Sequence, residues 1–165
     1  MKKVTLSEIS LITSPILSPK DFKIDRNKLK NDIIQSHNEN TRIDLNPRSY
    51  AYKDYQIPYS QQFQWLRDYL RDHLNAENNK KHIEKFFFGN MFYPKEQSYL
   101  RNQVNPLDLK NSPDLTLLYI VDIVDNSCQL TIEYDDNRRK GRSWHVNIKN
   151  DHFYAFPSVC KYFIS

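Results

Sequence analysis

The C-terminal half of the chain alternates between apolar and polar residues with the period of a β-strand. Residues 129–134 alternate cleanly, and residues 143–148 repeat the pattern, with Trp144 among the apolar positions. Successive side chains of a strand point to opposite faces, so each segment predicts a strand with one buried face. Polar turn residues separate these segments at close spacing. The pattern therefore predicts an antiparallel sandwich or barrel.

Other segments complete the predicted β region. Leu115–Ile123 is apolar on both faces and predicts a central strand that is covered on both sides. The turn signal at Asn150 and Asp151 precedes the last strands. Further short strands are expected at Leu6–Pro19, Phe86–Tyr93, Tyr99–Val104, His152–Phe156 and Lys161–Ile164.

Two helices are predicted ahead of most of the strands. Asp25 is a candidate N-cap for the first helix, which we expect to end in the polar run 37–40. The second helix has one apolar stripe at helical spacing, formed by Phe63, Leu66, Leu70 and Leu74. Helices that precede strands favour an α+β, mainly β fold over a parallel α/β sheet. We expect a single domain over 1–165, with a helical and loop part at 1–82 and a β core at 83–165.

Composition and motifs exclude several functions. The chain has only 2 glycines and none of the phosphate-loop, dinucleotide-binding, nucleophile-elbow or HExxH motifs. A net charge of +4 is mild, so nucleic acid is an unlikely partner. Cys128 and Cys160 predict two free thiols. Because no apolar run reaches the length of a membrane span, we expect a soluble, cytoplasmic protein, in the host cytoplasm if it is viral, without a membrane partner.

A few residues in the β region are candidates for chemistry. His145 and His152 would form part of a metal site if their strands met in a hairpin, although a third ligand has no predicted position. The charged run 135–142 would grip phosphate or nucleic acid, or form a solvated hairpin tip, and its mixed signs favour the tip. Asp122 would be an acid or base if buried in its apolar strand.

The order of the pieces resembles a known enzyme family. Leading helices are followed by the strand Phe86–Tyr93, by Asn102–Pro106, and by β segments that close with Phe156, Pro157 and Ser158. This is similar to the small Fe(II)/2-oxoglutarate-dependent oxygenases found in phages and marine bacteria. The resemblance implies a double-stranded β-helix, or jelly roll, in which two histidines and one carboxylate bind iron and leave positions open for oxygen and cosubstrate.

The chain departs from that family at its metal ligands. The equivalent positions carry Gln103, Asn105 and Tyr162. The family's last strand, with its Arg or Lys, would follow Ser165, and it is either absent or supplied from elsewhere. The resemblance therefore implies an oxygenase-like protein with a lost or remodelled iron site, and Fe(II) and 2-oxoglutarate are cofactors only if that site works. The residues that the resemblance assigns to cosubstrate binding are Tyr93, Arg101 and Tyr119.

Two alternatives remain open. One is a non-catalytic jelly-roll structural or interaction protein of the phage type, for which the aromatic loop 50–59 would supply a contact surface. The other is an active oxygenase with non-standard ligands, including His145 and His152. The partner would be a small molecule or a protein, an oligomer is compatible with either alternative, and the catalytic residues have no assignment.

Overall fold

The protein is seen in a computed structural model that describes residues 9–16, 24–43, 61–78, 81–83, 88–92, 96–124, 127–137 and 140–165. Its helices are α1 (Arg26–Ile43) and α2 (Gln61–Asn78). Its strands are β1 (Ile12–Pro15), β2 (Leu115–Tyr119), β3 (Gln129–Asn137), β4 (Lys140–Asn147), β5 (His152–Pro157) and β6 (Lys161–Ile164). A short 3-10 helix at Leu109–Asn111 precedes β2. Two compact units emerge, a β unit (Met1–Ile16 with Tyr99–Ser165) and a helical unit (Leu17–Ser98).

The start of α1 confirms the predicted cap. Asp25 Oδ1 accepts a hydrogen bond from the Lys28 amide at 3.1 Å, and the Asp25 amide donates to Gln62 Oε1 at 2.8 Å. A capping carboxylate satisfies one of the amides that a helix leaves without a partner at its start. The helix continues to Ile43, beyond the polar run where we predicted its end. That run contains neither Gly nor Pro, so nothing in it breaks the backbone pattern.

The apolar stripe of α2 is buried as predicted. Phe63, Leu66, Leu70 and Leu74 are all almost inaccessible to solvent. The opposite face carries charged residues, among which Arg71 Nη1 lies 2.9 Å from Asp68 Oδ1, one turn away. An exposed pair of this kind contributes only a few tenths of a kcal/mol, roughly. Burial of the stripe therefore dominates the stability of this helix.

The β unit contains two antiparallel, three-stranded sheets. The first sheet has the order β1-β5-β2 and the second has the order β4-β3-β6. The fold is thus α+β and mainly β, and the described strands do not close into a barrel. No helix in the described part of the chain is long and apolar enough to cross a membrane.

The order of the first sheet corrects one prediction. The apolar run expected at its centre forms β2, which ends at Tyr119 and lies at an edge of the described sheet. The central strand is β5, in which Phe153, Tyr154, Ala155 and Phe156 are all buried. Strand order depends on which distant segments pair, and the apolarity of one segment does not reveal its partners.

The two sheets share one hydrophobic core. Leu130 and Ile132 enter it from β3, Tyr154 and Phe156 from β5, and Tyr162 from β6. These side chains come from both sheets, so the buried faces of the two sheets pack against each other. Both free cysteines fit this arrangement, because Cys160 is buried in the core and Cys128 is half-buried at its margin.

Other predictions fare differently. Trp144 lies on the same face as its register partner Ile132, as predicted, but it is 52% exposed because β4 lies at the edge of the second sheet. Tyr99–Val104 contributes an isolated bridge at Arg101 instead of a strand. The predicted strand Phe86–Tyr93 lies partly outside the described residues, and the aromatic loop 50–59 lies wholly outside them.

The shared core predicts a large stability cost for Leu130→Ala. Leu130 is 0% exposed, so its truncation leaves a cavity and we expect a loss of about 2–5 kcal/mol. Urea denaturation followed by circular dichroism measures this free energy. Val124→Ala is the control, since Val124 is 93% exposed and its change should stay within about 0.5 kcal/mol. Equal costs for the two variants would contradict the assigned core.

Candidate functional site

Two of the three residues that the resemblance places at metal-ligand positions contact each other. Gln103 Nε2 donates a hydrogen bond to the Tyr162 hydroxyl at 3.0 Å. Tyr162 lies on β6 opposite Ile132 of β3 and is 3% exposed. Its ring packs edge-on against Phe156, with ring centres 5.3 Å apart. The pair therefore places a hydrogen-bonded amide and phenol at the margin of the shared core.

The backbone of Arg101 holds the segment that carries Gln103 beside Tyr162. The Arg101 amide donates to the Tyr162 carbonyl at 2.7 Å, and the Tyr162 amide donates to the Arg101 carbonyl at 2.9 Å. These two backbone hydrogen bonds form an antiparallel bridge beside β6. In an extended chain, residues two apart project to the same side. The bridge thus accounts for the side chain of Gln103 reaching the Tyr162 hydroxyl.

Asn105 serves a turn. Its Oδ1 accepts from the Leu107 amide at 3.0 Å, and its own amide donates to Ser112 Oγ at 2.8 Å. An asparagine that accepts from the amide two residues ahead forms a local turn. Asn105 is exposed, whereas Tyr162 is buried. Its side chain is therefore committed to local structure outside the Gln103–Tyr162 pair.

The predicted cosubstrate residues are associated with different elements. Tyr119, at the end of β2, donates from its hydroxyl to Asp151 Oδ1 at 2.9 Å. Asp151 has φ of 59° in the turn that leads into β5, which confirms the predicted turn. Arg101 pairs with the second sheet through its backbone. Tyr93 lies outside the described residues.

The closing motif has a structural role in the first sheet. Ser158 is buried, and its hydroxyl lies 2.8 Å from that of Thr116 on β2. The Ser158 amide also donates to the Asp114 carbonyl at 3.0 Å. The turn after β5 is thus tied to β2 by a buried pair of hydroxyls. Thr116 was missed by sequence reasoning, because nothing local marks a partner 42 residues away.

The two candidate histidines lie on strands of different sheets. His145 lies on β4, where its Nδ1 is 2.9 Å from Thr131 Oγ1 on β3. His152 begins β5, and its Nδ1 is 2.9 Å from the Asn150 carbonyl. Since β4 and β5 belong to different sheets, the predicted hairpin between the two histidines is wrong. In the described part of the chain, no three His, Cys, Asp or Glu side chains are grouped to hold a metal ion.

Two buried titratable groups line the core without forming a reactive site. Burial raises the pKa of the Tyr154 phenol, and hydrogen bonds from the Lys149 amide and Thr13 only partly oppose that effect. Burial also raises the pKa of the Cys160 thiol. A thiol reacts as its thiolate, so a raised pKa makes Cys160 a poor nucleophile at neutral pH. Both groups are therefore neutral core residues.

A small cleft opens beside Cys160. Its volume is about 30 Å³, and its walls include Leu11, Ile132, Tyr134 and Trp144. Pockets that bind small molecules typically measure about 300–1,000 Å³. This cleft is therefore too small for a metabolite and has room for part of one apolar side chain.

Comparisons with known proteins give no indication of function, so the proposal below is argued from the chemistry of these residues. No protein-family model, no curated protein and no solved structure matches the chain.

The buried hydroxyl pair of Thr116 and Ser158 predicts that removing one hydroxyl costs more stability than removing both. Thr116→Val removes one partner and leaves the Ser158 hydroxyl buried, so we expect a loss of about 1–3 kcal/mol. Adding Ser158→Ala removes the remaining polar group and should restore part of that loss. Chemical denaturation of the two single variants and the double variant measures the coupling. Additive losses would show that the two hydroxyls do not depend on each other.

Proposed function

We propose that this protein is a non-catalytic relative of the Fe(II)/2-oxoglutarate oxygenases that acts by binding a partner. The observation that carries the proposal is the hydrogen bond of 3.0 Å between Gln103 and Tyr162, two residues that stand where the resemblance places iron ligands. In this interpretation, the hydrogen bond replaces the metal as the link between the two chain segments.

The donor atoms of this pair do not fit Fe(II). Iron of this type is bound by two imidazoles and one carboxylate. The Gln103 amide nitrogen is engaged as a hydrogen-bond donor, and the Tyr162 hydroxyl accepts that bond. At the third position, the side-chain oxygen of Asn105 already accepts a hydrogen bond from the Leu107 amide in a local turn. No anionic side chain belongs to this set, so it lacks the charge and the nitrogen ligands that hold a divalent cation.

The cosubstrate positions fit 2-oxoglutarate no better. The Tyr119 hydroxyl donates to the carboxylate of Asp151. A cosubstrate carboxylate that took over this hydroxyl would lie close to the negative charge of Asp151, and like charges at such distances repel. Of the other two candidates, Arg101 forms a backbone bridge to Tyr162, and Tyr93 lies outside the described residues.

An active oxygenase with unusual ligands has weaker support. It needs His145 and His152 close together, and the two histidines belong to strands of different sheets. Each ring nitrogen Nδ1 already lies within hydrogen-bonding distance of a protein oxygen. A binding role requires neither histidine.

Metal titration tests the proposal directly. Purified protein is titrated anaerobically with Fe(II), and with Mn(II) as a redox-inert substitute, in calorimetry with 2-oxoglutarate present. Succinate is measured in a separate assay in air, because its formation from 2-oxoglutarate consumes oxygen. We expect no stoichiometric heat and no succinate above the level that free iron produces in buffer. One equivalent of tightly bound metal together with succinate formation would overturn the proposal.

A gain-of-binding variant provides the matched control. Gln103→His with Tyr162→His places two imidazoles where the amide and phenol touch, so this protein should bind Co(II) and show its absorption bands. Circular dichroism establishes whether the double variant is folded. A folded double variant without Co(II) binding would remove the support for treating the two positions as former ligands.

The structural value of the hydrogen bond has its own measurement. Gln103→Met and Tyr162→Phe should couple by about 0.5–1.5 kcal/mol in a double-mutant cycle of unfolding free energies. Gln103→Met combined with Tyr119→Phe is the control cycle. Because Tyr119 bonds to Asp151, these two changes should add within about 0.5 kcal/mol. Equal coupling in both cycles would show that the Gln103–Tyr162 contact contributes nothing specific.

A further inference from the structure

The outer edge of β4 is a candidate surface for further strand pairing. Among the strands that the structure describes, β4 pairs with β3 alone and forms the edge of the second sheet. Its eight residues include no proline, and residues 141–145 are all exposed. Sheet edges are commonly protected by proline, short strands, bulges or charged side chains. Of these features, β4 has the basic residues Lys140 and Arg142. Here the only irregularity in the β3–β4 pairing lies near the hairpin tip, between Asp135 and Asn137.

An apolar cleft adjoins the same strand. Trp144 stands opposite the buried Ile132 in the register of the sheet, yet it is half-exposed and forms one wall of the cleft of about 30 Å³. Ile9 and Leu11, from the chain leading into β1, form another wall. When a peptide adds to a sheet edge, backbone hydrogen bonds supply affinity and pockets for alternate side chains supply specificity. The cleft beside Trp144 is sized for part of one such side chain.

The charge of this segment distinguishes between occupants. Residues 138–149 contain five basic residues and no acidic one; the basic residues are Arg138, Arg139, Lys140, Arg142 and Lys149. On the neighbouring strand, Asp135 lies opposite Gly141 and Glu133 lies opposite Ser143, and these two carboxylates offset part of this charge. A second copy of β4 would bring the same basic sequence to the edge. Charge complementarity therefore favours an acidic partner.

We propose that the outer edge of β4 binds an extended acidic peptide segment of a partner protein. The peptide pairs with β4 as an additional strand and inserts one apolar side chain beside Trp144. The proposal rests on the proposed function in taking the protein to act by binding. Its test involves no metal, so either proposal can fail while the other stands.

The two tryptophans provide a matched pair of reporters. The chain has only Trp65, on α2, and Trp144, on β4. Trp65→Phe leaves Trp144 as the sole tryptophan, and its emission should shift to shorter wavelength, in a saturable manner, when a capped peptide alternating Glu with Val and Leu is added. Trp144→Phe leaves Trp65, whose emission should not change. A shift in both variants, or in neither, would overturn the proposal.

Anisotropy of the same peptide, labelled with a fluorophore, measures the contribution of each feature. Trp144→Ala should weaken binding at least about tenfold, as removal of an aromatic anchor commonly does, and Trp65→Ala should leave it unchanged. Arg142→Glu should also weaken binding. A peptide with Lys in place of Glu should not bind, and N-methylation of alternate peptide amides should weaken binding at least tenfold.

Three results would assign the edge to a different role. Equal affinity of the N-methylated and parent peptides would exclude strand addition. Binding of a labelled oligothymidine without binding of the acidic peptide would identify a nucleic-acid surface. A shift of Trp144 emission with protein concentration alone, accompanied by dimers in sedimentation, would identify a second copy as the occupant. Each of these results overturns the acidic-peptide proposal.

Discussion

The β unit depends on the contact between Phe156 and Tyr162. Phe156 belongs to the central strand of the first sheet, and Tyr162 belongs to a strand of the second sheet. Their rings pack edge to face across the shared core, an arrangement that aromatic pairs favour. A tight turn joins the two strands, in which the Cys160 amide donates to the Pro157 carbonyl at 3.0 Å. This short link passes the chain from one sheet to the other and so fixes how their buried faces meet.

The same tyrosine connects the core with the candidate site. Its ring fills the core while its hydroxyl accepts the hydrogen bond from Gln103. A histidine at this position would supply a metal ligand but would give up aromatic area in the core. A tyrosine fits this position because its ring is apolar enough for the core and its one hydroxyl has a hydrogen-bond partner. Stability of the two-sheet core therefore favours a tyrosine over a histidine at this position.

Local patterns in the sequence predict local structure well. The alternation at 129–134 locates β3, the stripe in 61–78 identifies the buried face of α2, and Asp25 marks the start of α1. Local patterns do not predict the contacts that define the site, because these contacts join distant parts of the chain. Gln103 and Tyr162 are 59 residues apart, and their meeting depends on the bridge at Arg101. The central place of β5 and the exposure of Trp144 likewise follow from strand order, which local periodicity does not encode.

The chain order also explains why β4 lies at an edge among the strands that the structure describes. β3 and β4 form a hairpin, but the next strand, β5, pairs in the first sheet, so it does not continue the second sheet beyond β4. At the opposite edge, β6 is partly covered by the bridge to Arg101. The turn that leads into β5 thus leaves an edge at β4 and brings Phe156 into the shared core. The contacts Gln103–Tyr162 and Thr116–Ser158 link polar side chains within the β unit. The proposed peptide would instead extend the second sheet at the edge of β4 through backbone hydrogen bonds.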